Sequence, residues 1–431
     1  MLRLLIAFCI ILNTSCVQSQ RVDTYVSVIS EATDTIPYTS LGIIKNGSIL
    51  VEQDINLETG VCQLPKGISL CPKGGIISNG TLIGDETKII GNSVLFDRVT
   101  IKGKWNVPNI STRLFATLDG VNSIRQVVAL AHPQIQNSIV IEKGEYQVKA
   151  EKEKDACILL CSNTNFILNG SIHLVPNDFE MCDIIRATGE NIRISGNGTI
   201  IGDKQSHSGK KGEWGMGINF KGAINSSVSG ITIQQCWGDC IYVGGNSRNL
   251  LIENCTLNQG RRQGISVTKA NGVTIRDCKI TNVKGTSPQC AIDIEPNWND
   301  SVNHILIERV FVKDCIGGFM VTRHARKDGS KLPWVGNIAI KNCQVYVKKR
   351  IPIIVKRCDG FKIEKCQINA PNGRSAISIQ STSHVEILDN TLSVKPNHKN
   401  IKNFSGKEEE QPISISNTKH CINRNNKIIE R

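Results

Sequence analysis

Five similar stretches decide the fold: GITIQQC (230–236), NLLIENC (249–255), GVTIRDC (272–278), NIAIKNC (337–343) and GFKIEKC (360–366). Each alternates apolar and polar residues and ends in cysteine, and a second short strand such as GISV or AIDI lies between copies. Copies separated by about twenty residues, with Asn and Gly at the corners, are typical of a solenoid. The sequence therefore predicts an all-β fold, a right-handed parallel β-helix whose equivalent strands stack about 4.8 Å apart.

The cysteines belong to this repeat. Seventeen cysteines in an exported chain would ordinarily suggest disulfides. Their recurrence at one position of the coil instead predicts that Cys255, Cys278, Cys343 and Cys366 point inward as free thiols and pack as small hydrophobic side chains. A disulfide or a metal site remains an alternative for them.

One stretch has a helical period. In GVNSIRQVVALAH (120–132), Ile124, Val127, Val128 and Ala131 recur at the spacing of one helix face. This pattern predicts a short helix that caps the solenoid. We expect a small β-rich N-terminal segment at residues 21–110, followed by the parallel β-helix domain at residues 111–431.

Residues 1–20 predict export. Arg3 precedes an apolar run from Leu4 to Leu12 and then small and polar residues, which is the pattern of a secretory signal peptide. Cleavage before Gln20 is one interpretation, and a lipid anchor at Cys16 is the other. The protein is thus expected to be secreted, periplasmic or on the cell surface. No later run is apolar for long enough to predict a transmembrane helix.

The charge points to an anionic partner. The formal net charge is +13 at pH 7, so an acidic polysaccharide, an acidic membrane surface or nucleic acid is a candidate, beside a basic surface with no partner. The charge is spread along the chain without interleaved aromatics or a basic helix, which argues against nucleic acid. We expect a monomer that binds a glycan substrate, with an oligomer left open.

Strand alternation predicts which side chains share one outer face. The residues expected to point inward are Ile241, Ile265, Ile292 and Phe319. Their outward neighbours are Tyr242, Ser266, Asp293 and Met320. The corner residues entering this face are Asp239, Arg261, Arg262 and Gln263.

Carboxylates are the strongest catalytic signal. Asp293 and Glu295 are two residues apart on one strand, so both point outward with α-carbons about 6.6 Å apart. Like charges that close can raise one pKa and leave an acid beside a base. Together with Asp239 they are candidate catalytic residues for glycoside hydrolysis, although their spacing fits both glycosidase geometries.

Arginines accompany these carboxylates. The planar guanidinium of Arg262, and that of Arg261, suits a carboxylate or sulfate group of a substrate. The alternative is that Arg262 orients Asp239 and Asp293. Gln263 beside it and Arg323, one coil above Asp293, complete the predicted polar substrate contacts.

The remaining candidates are less specific. Tyr242 and His324 are candidate proton donors or acceptors, and Trp298 and Trp334 are expected to stack on sugar rings. No zinc spacing, phosphate loop or Ser-His-Asp signature is found, so neither a metal site nor a cofactor is predicted. Calcium would be expected only if the reaction were a lyase reaction.

The coils resemble the pectin-lyase-like superfamily of right-handed parallel β-helices over about residues 120–431, and GNGTIIGD (196–203) is similar to the Gly-rich turn before the catalytic coils of polygalacturonases. That family carries Asn-Thr-Asp, Asp-Asp, His-Gly and Arg-x-Lys motifs on successive coils. Here only Asp239 matches, since Gly238 replaces the first aspartate of its pair and Gln263 stands in place of the histidine. The resemblance implies a polysaccharide-active enzyme without the standard polygalacturonase site.

These patterns together predict an exported glycoside hydrolase that cleaves an acidic polysaccharide or glycan. A lyase or epimerase acting on uronic acids is the close alternative, with arginine neutralising the substrate carboxylate. A non-catalytic glycan-binding or adhesion β-helix is the rival from another class.

Overall fold

The computed structural model describes residues 34–323, 334–371, 374–395 and 411–430. The predicted signal peptide at residues 1–20, with its lipid-anchor alternative, lies outside these ranges.

The chain winds into coils of three short strands each. In one coil, Ile241–Gly244, Ser247–Glu253 and Thr256–Asn258 follow one another and lie on three different faces, which we call face A, face B and face C. Each strand pairs in parallel with the equivalent strand of the next coil. The predicted parallel β-helix is therefore confirmed.

Two strands, Met181–Glu190 and Trp214–Ser229, run without interruption from face A into face B. The other strands of face A are Ala156–Leu160, Ile241–Gly244, Ile265–Val267, Cys290–Ile294, Gly317–Thr322, Ile353–Lys356, Ile377–Gln380 and Ile413–Ser416. The other strands of face B are Asn109–Ser111, Asn137–Ile141, Thr164–Leu168, Arg193–Gly196, Ser247–Glu253, Ala270–Arg276, Ser301–Glu308, Trp334–Lys341, Asp359–Glu364, Ser383–Leu388 and Lys419–Arg424. The strands of face C are Glu145–Val148, Ser171–Leu174, Thr199–Ile201, Thr232–Gln234, Thr256–Asn258, Lys279–Thr281, Phe311–Cys315, Gln344–Val347, Gln367–Asn369, Thr391–Val394 and Lys427–Glu430.

The N-terminal part is also made of strands. They are Ile43–Lys45, Ser48–Val51, Ile55–Asn56, Val61–Gln63, Ser69–Pro72, Ile77–Ile89 and Phe96–Trp105. The first two pair in antiparallel fashion, and the others pair in parallel. One hydrophobic core cluster includes residues from Leu41 to Val394. The division at residue 110 stays a prediction.

The predicted helix is present but shorter than its pattern. It spans Ser123–Val128, buries Ile124 and Val127, and contacts both the strand Phe96–Trp105 and the first coil strands. Two 3₁₀ helices, Tyr38–Leu41 and Thr112–Leu114, complete the helical elements of the described residues.

The interior is a set of stacked ladders. Ile241, Ile265, Ile292 and Phe319 pair in register on face A, and each is at most 1% exposed. Burying such a side chain contributes about 1.5–3 kcal/mol. Apolar residues at equivalent positions of successive coils therefore hold the strands in register.

The cysteine ladder has its own hydrogen bonds. The thiols of Cys255, Cys278 and Cys343 each donate to the backbone carbonyl two residues earlier, at 3.2 Å, and each is buried. The residue before each of them has a positive φ, which turns the chain from face B to face C. A thiol thus fills the interior and also satisfies a carbonyl at the corner. Cys366 behaves in the same way, and every described cysteine is a free thiol, as predicted for the ladder.

Candidate functional site

The candidate site lies on the outer side of face A. Tyr242, Ser266, Asp293 and Met320 pair in register as neighbours, so the outward column predicted by alternation is confirmed. We call the group of Asp239, Arg262, Ser266, Asp293 and Glu295 the face-A cleft. These residues lie on the strands and corners of consecutive coils.

Asp239 is buried rather than presented to solvent. Its side chain is 0% exposed, Ser266 Oγ donates to its Oδ2 at 2.7 Å, and Arg262 Nη1 lies 3.6 Å from the same oxygen. Burial raises the pKa of Asp239 to about 6, against the lowering effects of Arg262 and Ser266. Both protonation states of this carboxyl group are accessible near neutral pH.

Asp293 is buried in the same manner by a different partner. Gln263 Nε2 donates to Asp293 Oδ2 at 2.7 Å, and Gln263 Oε1 accepts from the backbone N–H of Cys290 at 2.8 Å. Burial and then the negative charge of Glu295 raise the pKa of Asp293 well above its usual range, although Arg262 lowers it. Burial and the charge of Glu295 thus favour the protonated form of Asp293.

Gln263 corrects the predicted substrate contact. The side chain is 0% exposed, and both of its amide atoms are used within the protein. In this arrangement Gln263 holds Asp293 in place and does not reach the surface. Asp239 and Asp293 are buried although they lie on the outer side of face A, because neighbouring corners and side chains cover both carboxyl groups.

One oxygen of each buried carboxyl group has no partner in the protein. Oδ1 of Asp239 and Oδ1 of Asp293 are inaccessible and make no hydrogen bond within the described residues. Unpartnered buried polar atoms are rare in native proteins and cost stability. In both carboxyl groups the oxygen that accepts a side-chain hydrogen bond is thus Oδ2.

Glu295 lies nearer the surface than Asp293. It is half-buried, and Thr322 Oγ1 donates to its Oε1 at 3.2 Å. The sequence prediction that Asp293 and Glu295 act on each other is supported, because the charge of Glu295 contributes to the raised pKa of Asp293.

Arg262 lies among these carboxylates. Its Nε donates to Glu213 Oε2 at 3.0 Å, and its side chain is only 17% exposed. Burial lowers the pKa of Arg262, but the charges of Asp239 and Asp293 raise it more, so the net direction is upward. The geometry favours the interpretation that Arg262 orients the carboxylates. Glu213 was missed because it lies in a connection from an earlier coil that no strand pattern places.

Arg261 points elsewhere. Its Nη1 donates to the carbonyl of Gly212 at 2.7 Å, and its Cζ lies 3.7 Å from the ring centroid of Trp237. His207 stacks on the same ring at 3.8 Å, and its Nδ1 lies 2.8 Å from Asp203 Oδ2. The predicted substrate contact of Arg261 is thus replaced by a cation–π contact beside the cleft.

Tyr242 adjoins the column of Asp293. Its hydroxyl group lies 2.7 Å from Thr268 Oγ1, and it is half-buried. Burial raises the pKa of Tyr242, so the phenol stays protonated at neutral pH. It can donate or relay a proton in exchange with Thr268 or with a bound ligand.

The predicted residues beyond this column lie apart from it. Burial and then the charge of Arg357 lower the pKa of Arg323. The backbone carbonyl of Arg323 accepts from Arg357 Nε at 2.7 Å, so the two arginines adjoin each other at the end of the strand Gly317–Thr322. His324 lies outside the described residues.

The two tryptophans remain exposed. Trp298 is 53% exposed in the connection after Glu295, and Trp334 is 41% exposed. The sequence also predicts a long loop at residues 323–336 that contains Trp334, and this is wrong for Trp334, which begins the strand Trp334–Lys341 and pairs with Ser301. Both rings lie on the side of face A that leads into face B.

Within the described ranges, no group of three or more His, Cys, Asp or Glu side chains is arranged to hold a metal ion. No helix in those ranges is long and apolar enough to cross a bilayer.

Comparison with known proteins supports this fold. A family model described as "Right handed beta helix region" matches residues 133–297. The A-module of the mannuronan C-5 epimerase AlgE6 of Azotobacter vinelandii has a TM-score of 0.52 at 16% identity, over 72% of this chain and 85% of that one. A family 28 exopolygalacturonase of Yersinia enterocolitica has a TM-score of 0.50 at 11% identity, over 76% and 79%. These likenesses show that the chain has the fold of a right-handed parallel β-helix.

A curated relative is more similar in sequence but carries no activity in its name. It is the uncharacterized protein YclG of Bacillus subtilis (strain 168), which is 27% identical over 215 residues, 43% of this chain and 37% of that protein. The chain spans about two fifths of the length of the curated relatives it matches.

Proposed function

We propose that the protein is an exported carbohydrate-active enzyme that hydrolyses an acidic polysaccharide or glycan in the face-A cleft. The observation that carries the proposal is the pair of buried carboxyl groups, Asp239 and Asp293. In each group one oxygen accepts a side-chain hydrogen bond, and the other oxygen has no partner among the described residues. Two carboxyl groups in different protonation states are what glycoside hydrolysis requires.

Asp293 is the proposed general acid. Its raised pKa favours the protonated form, and that proton passes to the glycosidic oxygen as the bond to the anomeric carbon breaks. Asp239, with a pKa of about 6, is largely ionised at neutral pH. It takes a proton from the attacking water or attacks the anomeric carbon itself.

Access to these groups requires a small rearrangement. Asp239 and Asp293 are at most 2% exposed, and the bridge between Arg262 and Glu213 lies beside them. An acidic sugar that takes the place of Glu213 on Arg262 would bring its ring to this position. The formal charge of +13 and the structural similarity to a mannuronan epimerase and an exopolygalacturonase support an acidic glycan.

Elimination or epimerisation at a uronic acid is the second candidate. The protonated phenol of Tyr242, two coil positions along the column from Asp293, favours it, because such chemistry needs a proton donor beside a neutralised carboxylate. Arg262 would neutralise that carboxylate. A non-catalytic glycan-binding scaffold remains the alternative outside enzymes.

The test is incubation of the purified chain with uronic-acid, sulfated and neutral polysaccharides. New reducing ends and the ultraviolet absorbance of unsaturated products are read together, and uronate composition is checked for epimerisation. Hydrolysis is expected to give reducing ends without absorbance, and Asp293→Asn is expected to abolish them. The matched control is Asp277→Asn, an exposed aspartate at a corner, which should retain turnover.

Absorbance or altered uronate composition would move the assignment to the second candidate. Binding without any product across the panel would leave a glycan-binding scaffold.

A further inference from the structure

A second groove lies on face C. It has a volume of about 510 Å³ and is lined by outward side chains of four consecutive strands. We define the face-C groove by Thr256, Asn258, Lys279, Phe311 and Lys313. We propose that this groove is a second, non-catalytic binding site for a linear anionic glycan that lies along the axis of the solenoid.

The register of the strands makes the groove periodic. Thr256, Lys279 and Phe311 occupy one outward column, and Asn258 and Lys313 lie in the parallel column two residues further on. Each coil advances the columns by about 4.8 Å. That step is close to the length of one sugar residue in an extended chain, so successive sugars would meet successive coils.

The charge of the groove favours an anionic ligand. Lys279 and Lys313 are exposed, and neither has a carboxylate within ion-pair distance in the described part of the chain. Asp314, the acidic residue of the lining, is paired with Lys348 at 3.3 Å, outside the two columns. The groove therefore presents two uncompensated ammonium groups, whereas Arg262 in the face-A cleft is already paired with carboxylates.

The neutral lining suits a sugar. Thr281 Oγ1 and Asn282 Nδ2 both donate to Asn258 Oδ1, at 3.0 and 2.9 Å, which fixes the amide of Asn258 in one orientation. Phe311 packs against Tyr346 with ring centroids 6.0 Å apart. A fixed amide beside an aromatic ring is a combination that binds hydroxyl groups and the apolar face of a sugar ring.

The inference shares with the proposed function only the class of ligand, an acidic glycan, and needs no turnover. Binding of short oligogalacturonates and oligomannuronates, with a neutral oligosaccharide beside them, is measured by calorimetry at low salt. The double variant Lys279→Gln/Lys313→Gln is expected to lower affinity for the acidic probes at least about fivefold, because two exposed charge contacts are removed. The matched control is Lys427→Gln, a lysine of the same column at the end of face C, which should bind as the unmodified chain does.

Three results would overturn the inference: no binding of the acidic probes by the unmodified chain, equal binding by the double variant, or an equal loss in the Lys427 variant. If a polysaccharide is turned over, the double variant should raise KM for the polymer and leave kcat unchanged. Binding that depends on Lys279 and Lys313 without any turnover would uphold this inference while the proposed hydrolase fails.

Discussion

The face-A cleft and the face-C groove belong to the same coils but present opposite environments. Asp293 and Lys313 point outward from two strands of one coil, Cys290–Ile294 and Phe311–Cys315. Asp293 is 2% exposed and held by Gln263, whereas Lys313 is exposed and has no ionic partner among the described residues. Strand alternation alone does not distinguish them.

The difference lies in what covers the strands. On face A, the corner residues Arg262 and Gln263 fold back over the outward carboxyl groups, and Glu213 from an earlier coil adds a second layer. Burial then raises the pKa of the covered carboxyl groups. Among the described residues no segment covers Lys279 and Lys313, so contacts on face C can be made by an open surface. The same fold therefore offers buried carboxyl groups on one face and exposed ammonium groups on another.

The largest expected effect is on turnover, which we expect to depend on face A and not on face C. Asp239→Asn keeps the shape of the side chain but removes the ionisable group, so turnover of the substrate found in the panel should fall about 10³-fold. Asp314→Asn on face C is the control and should retain kcat, measured from initial rates of reducing-end formation. A variant of Asp239 with normal kcat would restrict this carboxyl group to a structural role.

Arg262→Gln tests whether the cleft depends on its buried ion pair. The change leaves Asp239 buried without its cation, which should lower the free energy of unfolding by about 3 kcal/mol. Urea unfolding followed by circular dichroism provides the measurement. The control is Arg309→Gln, because the pair of Arg309 with Asp277 is exposed at a corner and should add little. If both variants lost the same free energy of unfolding, the contrast between the buried and the exposed ion pair would be contradicted.

The pH dependence of stability tests the raised pKa of Asp239. The carboxyl group binds its proton more tightly in the folded chain, with a pKa of about 6 against 3.8 when unperturbed. Between these values the folded state holds more protons than the unfolded state, so its stabilisation is present at low pH and is lost as pH rises from about 4 to about 6. Relative to Asp239→Asn, the unmodified chain should lose about 3 kcal/mol over this window. Parallel profiles for the two proteins would show that Asp239 titrates normally.

The smallest expected effect concerns hydroxyl groups on the two faces. Thr268→Val removes the partner of the half-buried Tyr242 hydroxyl group and should cost about 1 kcal/mol of unfolding free energy. Thr281→Val removes a similar hydrogen bond to Asn258 beside the open groove, where water can replace it, and should cost less. Thermal unfolding of both variants measures the difference, and a larger loss for Thr281→Val would reverse the comparison.

The sequence predicted the parts of the fold that depend on local periodicity. The column of Tyr242, Ser266 and Asp293 and the ladder of inward cysteines follow from a period of two within strands and a repeat between coils. The helix was also predicted, but its extent was overestimated, because the apolar spacing continues beyond Val128 where the helical hydrogen bonds stop. These features depend only on neighbouring residues and on the equivalent residues one coil away.

The candidate site was predicted less completely because its contacts join residues far apart in the chain. Arg262 contacts Glu213, which is 49 residues away in the sequence, and no pattern within either segment predicts this ion pair. Arg261 has the same residue type and adjoining position, yet it stacks on Trp237. Adjacent corner residues point in different directions, so the sequence could place both arginines at the corner without assigning their partners.

By itself, then, the sequence determined that the chain is a coil of short parallel strands, which outward residues share a column, and that carboxylates and arginines meet on one face. The tertiary structure decided that Asp239 and Asp293 are covered, that Gln263 is a support for Asp293, and that face C remains open. The physical reason is that periodicity fixes the direction of a side chain relative to its own strand. The burial of a carboxyl group depends on how segments of other coils pack over it, and its pKa depends on that burial.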